Sequence, residues 1–309
     1  MEKYKLLVDT DPGVDDAMAI LMAHDCAEVV GLSIAAGNVG IEHTVGNALK
    51  LVEVISAQTP VFAGCATPLV HAAEDAAEVH GHDGFGDIGY LPSTRKADAE
   101  HAALAILRLS HEHAGKLVLV ALAPLTNLAL ALKLDPTLPA RVAKLVIMGG
   151  AVTGRGNYET VPAEFNIGFD PEAAHVVFSG WPHFVLVDWE ATMRHGIDFA
   201  RFAKLTSANT ARAKFYADIT RKTVEWTRAE GRPQMLIADA LAMAVALEPG
   251  IVRRAEERNV AVEIDGRLTR GATVVDWGDR LGKPANAQIV LEVDHARFEE
   301  LLASAVGAA

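Results

Sequence analysis

The chain has 309 residues, of which half are hydrophobic and 22% are charged, a composition typical of a folded protein with a sizeable core. Its 40 acidic and 28 basic residues give a formal net charge of −12, and no cluster of Lys and Arg is visible, which excludes a nucleic-acid groove. Two cysteines predict a reduced compartment, and no apolar run approaches the about 20 residues of a membrane span, so we expect a cytoplasmic protein.

The first predicted elements are a strand, a tight turn and a helix. Residues Tyr4 to Val8 form an apolar run, and Pro12 with Gly13 suits the turn. Four carboxylates fall within eight residues of this segment, namely Asp9, Asp11, Asp15 and Asp16. A helix dipole favours an acid in the first turn by only about 0.3–1 kcal/mol, which does not offset the repulsion among so many. A hard cation, Ca²⁺ or Mg²⁺, is therefore expected among them.

Asp15 and Asp16 taken alone have a simpler explanation, as an N-cap and a first-turn acid. That explanation leaves Asp9 and Asp11 at the strand end, where open α/β sheets bind their ligands. The segment Asp9-Thr10-Asp11-Pro12-Gly13-Val14-Asp15-Asp16-Ala17 resembles the N-terminal signature of the nucleoside hydrolases, the inosine-uridine-preferring N-ribohydrolase family. The resemblance implies one domain over residues 1–309 with a Rossmann-like nucleoside hydrolase fold. It also implies metal-dependent hydrolysis of the N-glycosidic bond of ribonucleosides.

Strand and helix patterns alternate along the rest of the chain. Strands are predicted at residues 28–34, 60–63, 116–122, 145–148, 181–187, 260–264, 272–276 and 288–293, and helices at residues 41–56, at 207–228 and from 237 onward. This alternation is typical of βαβ units and predicts an α/β fold, an open, mainly parallel sheet with helices on both faces.

Residues 64–96 show no sustained period and contain a Gly-rich loop, which in a compact domain is usually functional or mobile. The segment His80-Gly81-His82-Asp83-Gly84-Phe85 resembles the family's His-Gly-x-x-Gly-Leu element, with Phe85 in place of Leu. The resemblance implies a flexible flap. His80 and His82 are equally consistent with solvated loop histidines.

Polar residues follow several predicted strand ends, as a sugar-binding site requires. Asn38 follows the second strand, and the segment 163–174 closely matches the family's Glu-Phe-Asn-x-x-x-Asp-Pro-Glu-Ala-Ala element. Each of these residues could equally be a turn or cap residue, and Asp170 before Pro171 is expected to be an N-cap. The resemblance implies that the ribose is bound by Asp15, Asn38, Met148, Asn157, Glu164 and Asn166.

The resemblance also implies the metal ligands and the catalytic base. The ion would be Ca²⁺, held by Asp11, Asp16, Asp239 and the backbone carbonyl of Leu122 and chelated by the cis hydroxyls of the ribose. Asp11 would be the general base for the attacking water. A small-molecule nucleoside is thus the expected partner, and since relatives are dimers or tetramers, a homodimer or homotetramer is implied.

One departure from the family touches the chemistry. Relatives carry His-Asp where this chain has Ala238-Asp239, and their His helps the base to leave, whereas alanine cannot donate a proton. The candidates for a base pocket are His82, Trp189 and Trp226, with Arg228 and Arg232 nearby. A stacked indole would favour protonation of purine N7, so a preference for purine nucleosides is expected, although a core position would equally explain a Trp.

Two other functions fit parts of the sequence. Asp9-Thr10-Asp11 after an apolar strand also resembles the nucleophile motif of haloacid-dehalogenase-like phosphatases, but that function leaves Asp15 and Asp16 without a role. A nucleoside-binding or sensing protein that lost catalysis together with the histidine would keep the same polar residues. A hydrolase turns over nucleosides, whereas a nucleoside-binding or sensing protein binds them without forming product, so an assay of turnover distinguishes the two.

Overall fold

The computed structural model describes residues 5–308. The strands are β1 (Lys5–Thr10), β2 (Glu28–Ile34), β3 (Val61–Ala63), β4 (Leu117–Ala121), β5 (Val142–Met148), β6 (Phe184–Val187), β7 (Ile197–Asp198), β8 (Gln234–Met235), β9 (Val252–Arg258), β10 (Val260–Val262), β11 (Thr273–Val275) and β12 (Ala287–Val293). The helices are α1 (Val14–Cys26), α2 (Ile41–Ile55), α3 (Ala77–His80), α4 (Ala102–Glu112), α5 (Thr126–Leu134), α6 (Phe165–Phe169), α7 (Pro171–Gly180), α8 (Trp189–Arg194), α9 (Phe199–Thr206), α10 (Ala211–Ala229), α11 (Ala238–Leu247) and α12 (His295–Ala305).

Eight strands form one sheet in the order β3-β2-β1-β4-β5-β6-β12-β9. Every neighbouring pair is parallel except β12 and β9 at one edge, so the predicted open, mainly parallel sheet is confirmed. The chain proceeds from β1 outward to β2 and β3, then returns to place β4 on the other side of β1. The crevice between β1 and β4 is therefore the switch point at which open α/β sheets bind ligands.

The central strands of the sheet are largely apolar because helices cover both faces of the sheet. In β4, Val118 and Val120 belong to a core cluster with α1, α2, α10, α11 and α12. Leu117 and Leu119 of the same strand belong to a second cluster with α4, α5 and α7. Side chains of one strand thus alternate between two helical layers.

The C-terminal third differs from the sequence-based expectation. The strands predicted near residues 260–264 and 272–276 do not join the main sheet but pair with each other as β10 and β11. The edge position is filled instead by β9. An edge strand exposes one side to water, so β9 carries charged residues, and its sequence pattern did not predict a strand.

The long helix predicted at 207–228 begins only at Ala211, where the Thr210 side chain caps it. Tyr4, placed in the first strand by sequence, lies outside the described residues.

Among residues 5–308, none of the helices combines the length and apolarity needed to cross a membrane.

Candidate active site

The carboxyl ends of the central strands carry the residues singled out by sequence. Asp11 follows β1, Asn38 follows β2, Leu122 follows β4, Met148 ends β5 and Trp189 follows β6. Because the strands are parallel, these ends lie along one edge of the sheet, beside the crevice between β1 and β4. The structure therefore collects at one edge residues that are widely separated in sequence.

Three carboxylates meet where two helices begin. Asp15 and Asp16 lie in the first turn of α1 and Asp239 in the first turn of α11, and α1 packs against α11. Oxygens of the three carboxylates lie within 4.8 Å of one another. The two helix N-termini supply partial positive charge, but only a fraction of what three carboxylates require. Such a group of oxygen ligands suits a hard cation.

Asp16 has both a structural role and a place in this cluster. One of its oxygens accepts a hydrogen bond from the Thr10 hydroxyl. The other accepts from the Gly13 amide and from Asn38 Nδ2, both at 3.0 Å. Of the explanation as an N-cap and a first-turn acid, the first-turn position is correct for both Asp15 and Asp16, whereas the N-cap of α1 is Gly13. The contact of Asp16 with the Gly13 amide does not exclude its carboxylate from a metal site. Burial and the charge of Asp15 raise the pKa of Asp16.

Asp11 is held by one oxygen and leaves the other unpaired. Its Oδ2 accepts from the Asn38 amide at 2.7 Å, while Oδ1 is buried without a hydrogen-bond partner. Burial, followed by the charge of Asp16, raises the pKa of Asp11 well above its usual range. The backbone passes so close that a Cβ on Gly37 would lie 2.1 Å from Asp11 Oδ2, so glycine is required at this position.

Asp15 and Asp239, like Asp11, are buried carboxylates with raised pKa values. Asp15 Oδ1 is buried without a partner, and burial raises the pKa of Asp15 to about 6. Burial, then the charges of Asp15, Asp16 and Asp11, raises the pKa of Asp239 well above normal. Orphaned carboxylate oxygens and mutual repulsion are what a divalent cation would relieve, so these residues fit a site for a hard divalent cation.

Asn166 joins the ends of β4 and β5. Its Nδ2 donates to the Leu122 carbonyl at 2.7 Å and to the Met148 carbonyl at 3.3 Å. The structure thus brings together three of the residues selected by sequence. The Leu122 carbonyl oxygen retains a second lone pair for a further ligand.

Glu164 caps the short helix α6 and is almost fully buried. Its carboxylate accepts from the amides of Gly150, Asn166 and Ile167 at 2.9 to 3.2 Å. Burial outweighs these hydrogen bonds and raises the pKa of Glu164 to about 7. Asn157 is exposed, and its Oδ1 accepts from the amide of Phe165, the residue between Glu164 and Asn166, at 2.9 Å.

The two histidines of the Gly-rich loop, His80 and His82, differ in their exposure. The His82 side chain is 88% exposed and pairs with Asp87, so it lies on the outer surface of the loop. His80 is buried, and its Nδ1 accepts from the Val14 amide at 3.1 Å. Burial lowers the pKa of His80 to about 4, so the ring is neutral. The sequence did contain a signal for His80, because His80-Gly81 matches the family's His-Gly element.

The same loop is docked on α10. The Phe85 ring is fully buried, 5.6 Å from the ring centres of both Tyr90 and Phe215. The Thr223 hydroxyl donates to the Val79 carbonyl at 2.9 Å. Phe85 in place of the family's Leu thus supplies a larger apolar anchor.

Trp189 is the first residue of α8, a helix that contacts α11. The Trp189 amide donates to the Gly150 carbonyl at 2.9 Å, and Gly150 in turn donates to Glu164. Trp226 lies in the last turn of α10. Both rings are half-buried. Ala238 is buried at the first position of α11 and offers only a methyl group.

Two acids near the site are structural. Asp9 projects toward the layer of α5, where it accepts from the Ser33 hydroxyl and from Asn127 Nδ2 at 3.0 Å, and it does not join the cluster. This placement does not favour Asp9 as a phosphatase nucleophile. Asp170 accepts from the Ala173 amide at 3.0 Å, which confirms it as the N-cap of α7.

Comparison with known proteins places the whole chain in one group. The family model described as inosine-uridine preferring nucleoside hydrolase matches residues 6–300. The chain is 33% identical to the pyrimidine-specific ribonucleoside hydrolase RihB of Escherichia coli (strain K12), covering 99% of this chain and 98% of that protein. The structure of an inosine-guanosine nucleoside hydrolase (IG-NH) matches with a TM-score of 0.92 and 35% identity over 99% of each chain. A purine-preferring ribonucleoside hydrolase from Gardnerella vaginalis matches with a TM-score of 0.90 and 31% identity over 98% of each chain.

Proposed function

The chain belongs to the inosine-uridine preferring nucleoside hydrolase family and is a ribonucleoside hydrolase, and we propose that it uses Ca²⁺ and prefers purine nucleosides. The observation that carries the metal dependence is the carboxylate cluster of Asp15, Asp16 and Asp239, together with the unpaired buried oxygens of Asp15 and of Asp11. The observation that carries the preference is Ala238 at the position of the family's His, with Trp189 and Trp226, which both contact Arg232, as candidate stacking partners.

The cation would be held by Asp11, Asp16, Asp239 and the Leu122 carbonyl. When bound, it would orient the two cis hydroxyls of the ribose and acidify the attacking water. Oxygen ligands without Cys or His are the set that Ca²⁺ prefers. Because burial and mutual repulsion raise the pKa of Asp11 and Asp239, protons compete with the cation for these carboxylates, and the affinity for the cation is expected to fall at acidic pH.

Asp11 is proposed to take the proton of the water that attacks C1′. The Asn38 amide fixes Oδ2 and thereby leaves Oδ1 to accept the proton. The base departs from the opposite side of the sugar, as in an inverting glycosidase. Ribose would be gripped by Asp15, Asn38, Met148, Asn157, Glu164 and Asn166, with the carboxylate of Glu164 stabilising positive charge on the ring.

The leaving group decides the base preference. A pyrimidine leaves poorly without a proton donor, whereas a purine can be protonated at N7 through water, especially when it is stacked. The names of the relatives include both a pyrimidine-specific enzyme and purine-preferring ones, so family membership leaves the choice open. With alanine at position 238 and Trp189 and Trp226 as candidate stacking partners, purine nucleosides are the better substrates.

A reducing-sugar assay over inosine, guanosine, adenosine, uridine and cytidine, with and without chelator, tests the proposal. We expect kcat/KM for the best purine to exceed that for uridine by about tenfold or more, equivalent to about 1.4 kcal/mol. A faster reaction with uridine would contradict the purine preference, and binding without turnover would identify a nucleoside sensor.

We further propose a cytoplasmic homodimer or homotetramer. The exposed apolar side chains of Val70, Val161 and Leu268, at 63%, 79% and 79%, support contacts with a second copy. Light scattering of the purified protein tests the assembly, and a monomer at micromolar concentration would contradict it.

A further inference from the structure

An arginine lies against both tryptophans of the expected base pocket. The guanidinium carbon of Arg232 is 4.9 Å from the ring centre of Trp226 and 6.0 Å from that of Trp189. The two rings come from different elements, since Trp226 lies in the last turn of α10 and Trp189 begins α8. Arg232 itself lies in the segment that leads into α11, whose first residue is Ala238.

Within the described residues, the side-chain N–H groups of Arg232 have no acceptor, although its backbone amide donates to the Thr227 carbonyl at 3.1 Å. Among residues 5–308, its half-buried guanidinium forms no ion pair and no hydrogen bond, and its contacts are the two indole rings. Arg270 and Arg297, by contrast, form ion pairs with Glu172 and Glu248. In a protein with 40 acidic residues, an arginine without a carboxylate is held in place by stacking, and its five N–H groups are available to a ligand.

The chemistry of the guanidinium selects a class of base. A planar guanidinium donates two parallel hydrogen bonds to the N7 and O6 acceptors of guanine, the commonest specific contact between arginine and a base. Hypoxanthine presents the same two acceptors. Adenine replaces O6 with an amino donor, and a pyrimidine has no N7, so neither forms the pair.

We propose that Arg232 recognises the N7–O6 edge of 6-oxopurine bases and stabilises the negative charge that develops there as the base leaves. This inference rests on the proposed hydrolase function. As the bond between C1′ and N9 breaks, its electron pair passes into the purine ring, and the hydroxyl of water joins C1′. Asp11 receives the proton of that water. For 6-oxopurines the hydrogen bonds of Arg232 thus take the place of N7 protonation while the bond breaks. Arginine does not deprotonate in proteins, so the departed base then takes its proton from solvent.

The alternative is that Arg232 fills the base slot in the free enzyme and must move aside. A placeholder competes equally with every base, whereas a recognition residue distinguishes 6-oxopurines from adenine. The two possibilities therefore differ in the pattern across substrates, not in the size of a single effect.

The test compares Arg232→Met and Arg232→Lys with the control Arg258→Met. Arg258 lies on the edge strand β9 with its guanidinium carbon 6.0 Å from the ring centre of Trp277, so the control removes another arginine–indole contact away from the site. With calcium present, we expect Arg232→Met to lower kcat/KM for inosine and guanosine by about thirtyfold and for adenosine by less than about threefold. Arg232→Lys should recover little, because lysine lacks the planar pair of N–H donors. Arg258→Met should change all substrates by less than about twofold.

A second substrate separates recognition from structural support. In 4-nitrophenyl riboside the leaving group is stable as an anion, so Arg232→Met should retain the wild-type rate with it. Equal losses on inosine, adenosine and the nitrophenyl riboside would mean structural support and overturn the proposal. A gain on all three would identify a placeholder and overturn it as well.

A binding measurement keeps the two proposals distinguishable. If the wild-type protein hydrolyses no ribonucleoside, the proposed function fails. Quenching of tryptophan fluorescence by free hypoxanthine and adenine still tests Arg232 in that case. We expect wild-type protein to bind hypoxanthine more tightly than adenine, and Arg232→Met to lose this difference. Equal affinities of wild-type protein for both bases would overturn the inference.

Discussion

At the scale of single residues, Asp11 combines a fixed oxygen with an unpaired one. The Asn38 amide restrains Oδ2, and the raised pKa of Asp11 reflects burial beside Asp16. A general base works best when it is oriented and can receive a proton near the working pH. Asp9, two residues earlier, has its side chain engaged by Ser33 and Asn127 on the other face of the sheet.

Asp11→Asn should lower kcat by at least about 100-fold, because an amide accepts a hydrogen bond but not a proton. Steady-state kinetics with inosine at saturating calcium measures the effect. Asp9→Asn is the matched control and should change kcat by much less. A kcat close to wild type for Asp11→Asn with metal bound would assign the base to another group.

Gly37→Ala tests how closely the backbone confines Asp11. The added methyl would lie 2.1 Å from Asp11 Oδ2, so either the carboxylate or the loop must shift. We expect kcat/KM to fall by about tenfold or more, since small displacements of catalytic groups are costly. The control is Gly40→Ala, where a Cβ would meet nothing within 4 Å. Equal activity of the two variants would show that Asp11 tolerates displacement.

At the scale of elements, the Gly-rich loop is an ordered part of the wall rather than a detached flap in this conformation. Phe85 is buried against Tyr90 and Phe215, and the loop carbonyl of Val79 accepts from Thr223 of α10. His80 reaches the Asp cluster from this loop, so its docking also positions a residue of the site.

Phe85→Ala should undock the loop. Removing a buried Phe side chain costs about 3–5 kcal/mol where the site cannot collapse. Hydrogen exchange of residues 79–90 should become faster, and KM for inosine should rise more than kcat falls. Leu91→Ala is the control in the same segment, since Leu91 is 82% exposed. Unchanged exchange in Phe85→Ala would mean that hydrogen bonds alone hold the loop.

At the scale of the whole molecule, the acidic cluster lies where α1, α11 and the crevice between β1 and β4 meet. Repulsion among its carboxylates opposes the packing of α1 against α11. Any cation that binds only the folded state stabilises it by mass action.

Calcium should therefore raise the Tm, and chelation with EGTA should abolish hydrolysis until calcium is restored. At 100 times its Kd, calcium adds about 2.7 kcal/mol to the free energy of unfolding. Differential scanning calorimetry with calcium, magnesium or EGTA measures the shift. Asp239→Asn should reduce it, because the cluster loses one charge. Full activity in metal-free protein would refute the metal dependence.

The sequence by itself determined the elements and the local caps. The alternation of apolar strands and helices predicted the parallel sheet, and the residues around Asp170 predicted its N-cap, because both depend on neighbours along the chain. The segments at residues 9–17 and 163–174 identified the family, which the comparisons confirm.

Only the tertiary structure decided which of these residues meet. Asp239 joins Asp15 and Asp16 because α11 packs beside α1, and Asp9 is excluded because alternate residues of β1 face opposite layers. The turn of the Gly-rich loop buries His80 and exposes His82, although the two are separated by one residue. The contact of Arg232 with two tryptophans from different helices has no local pattern in the sequence. Local periodicity reports the exposure of each element, whereas a site depends on the packing of distant elements.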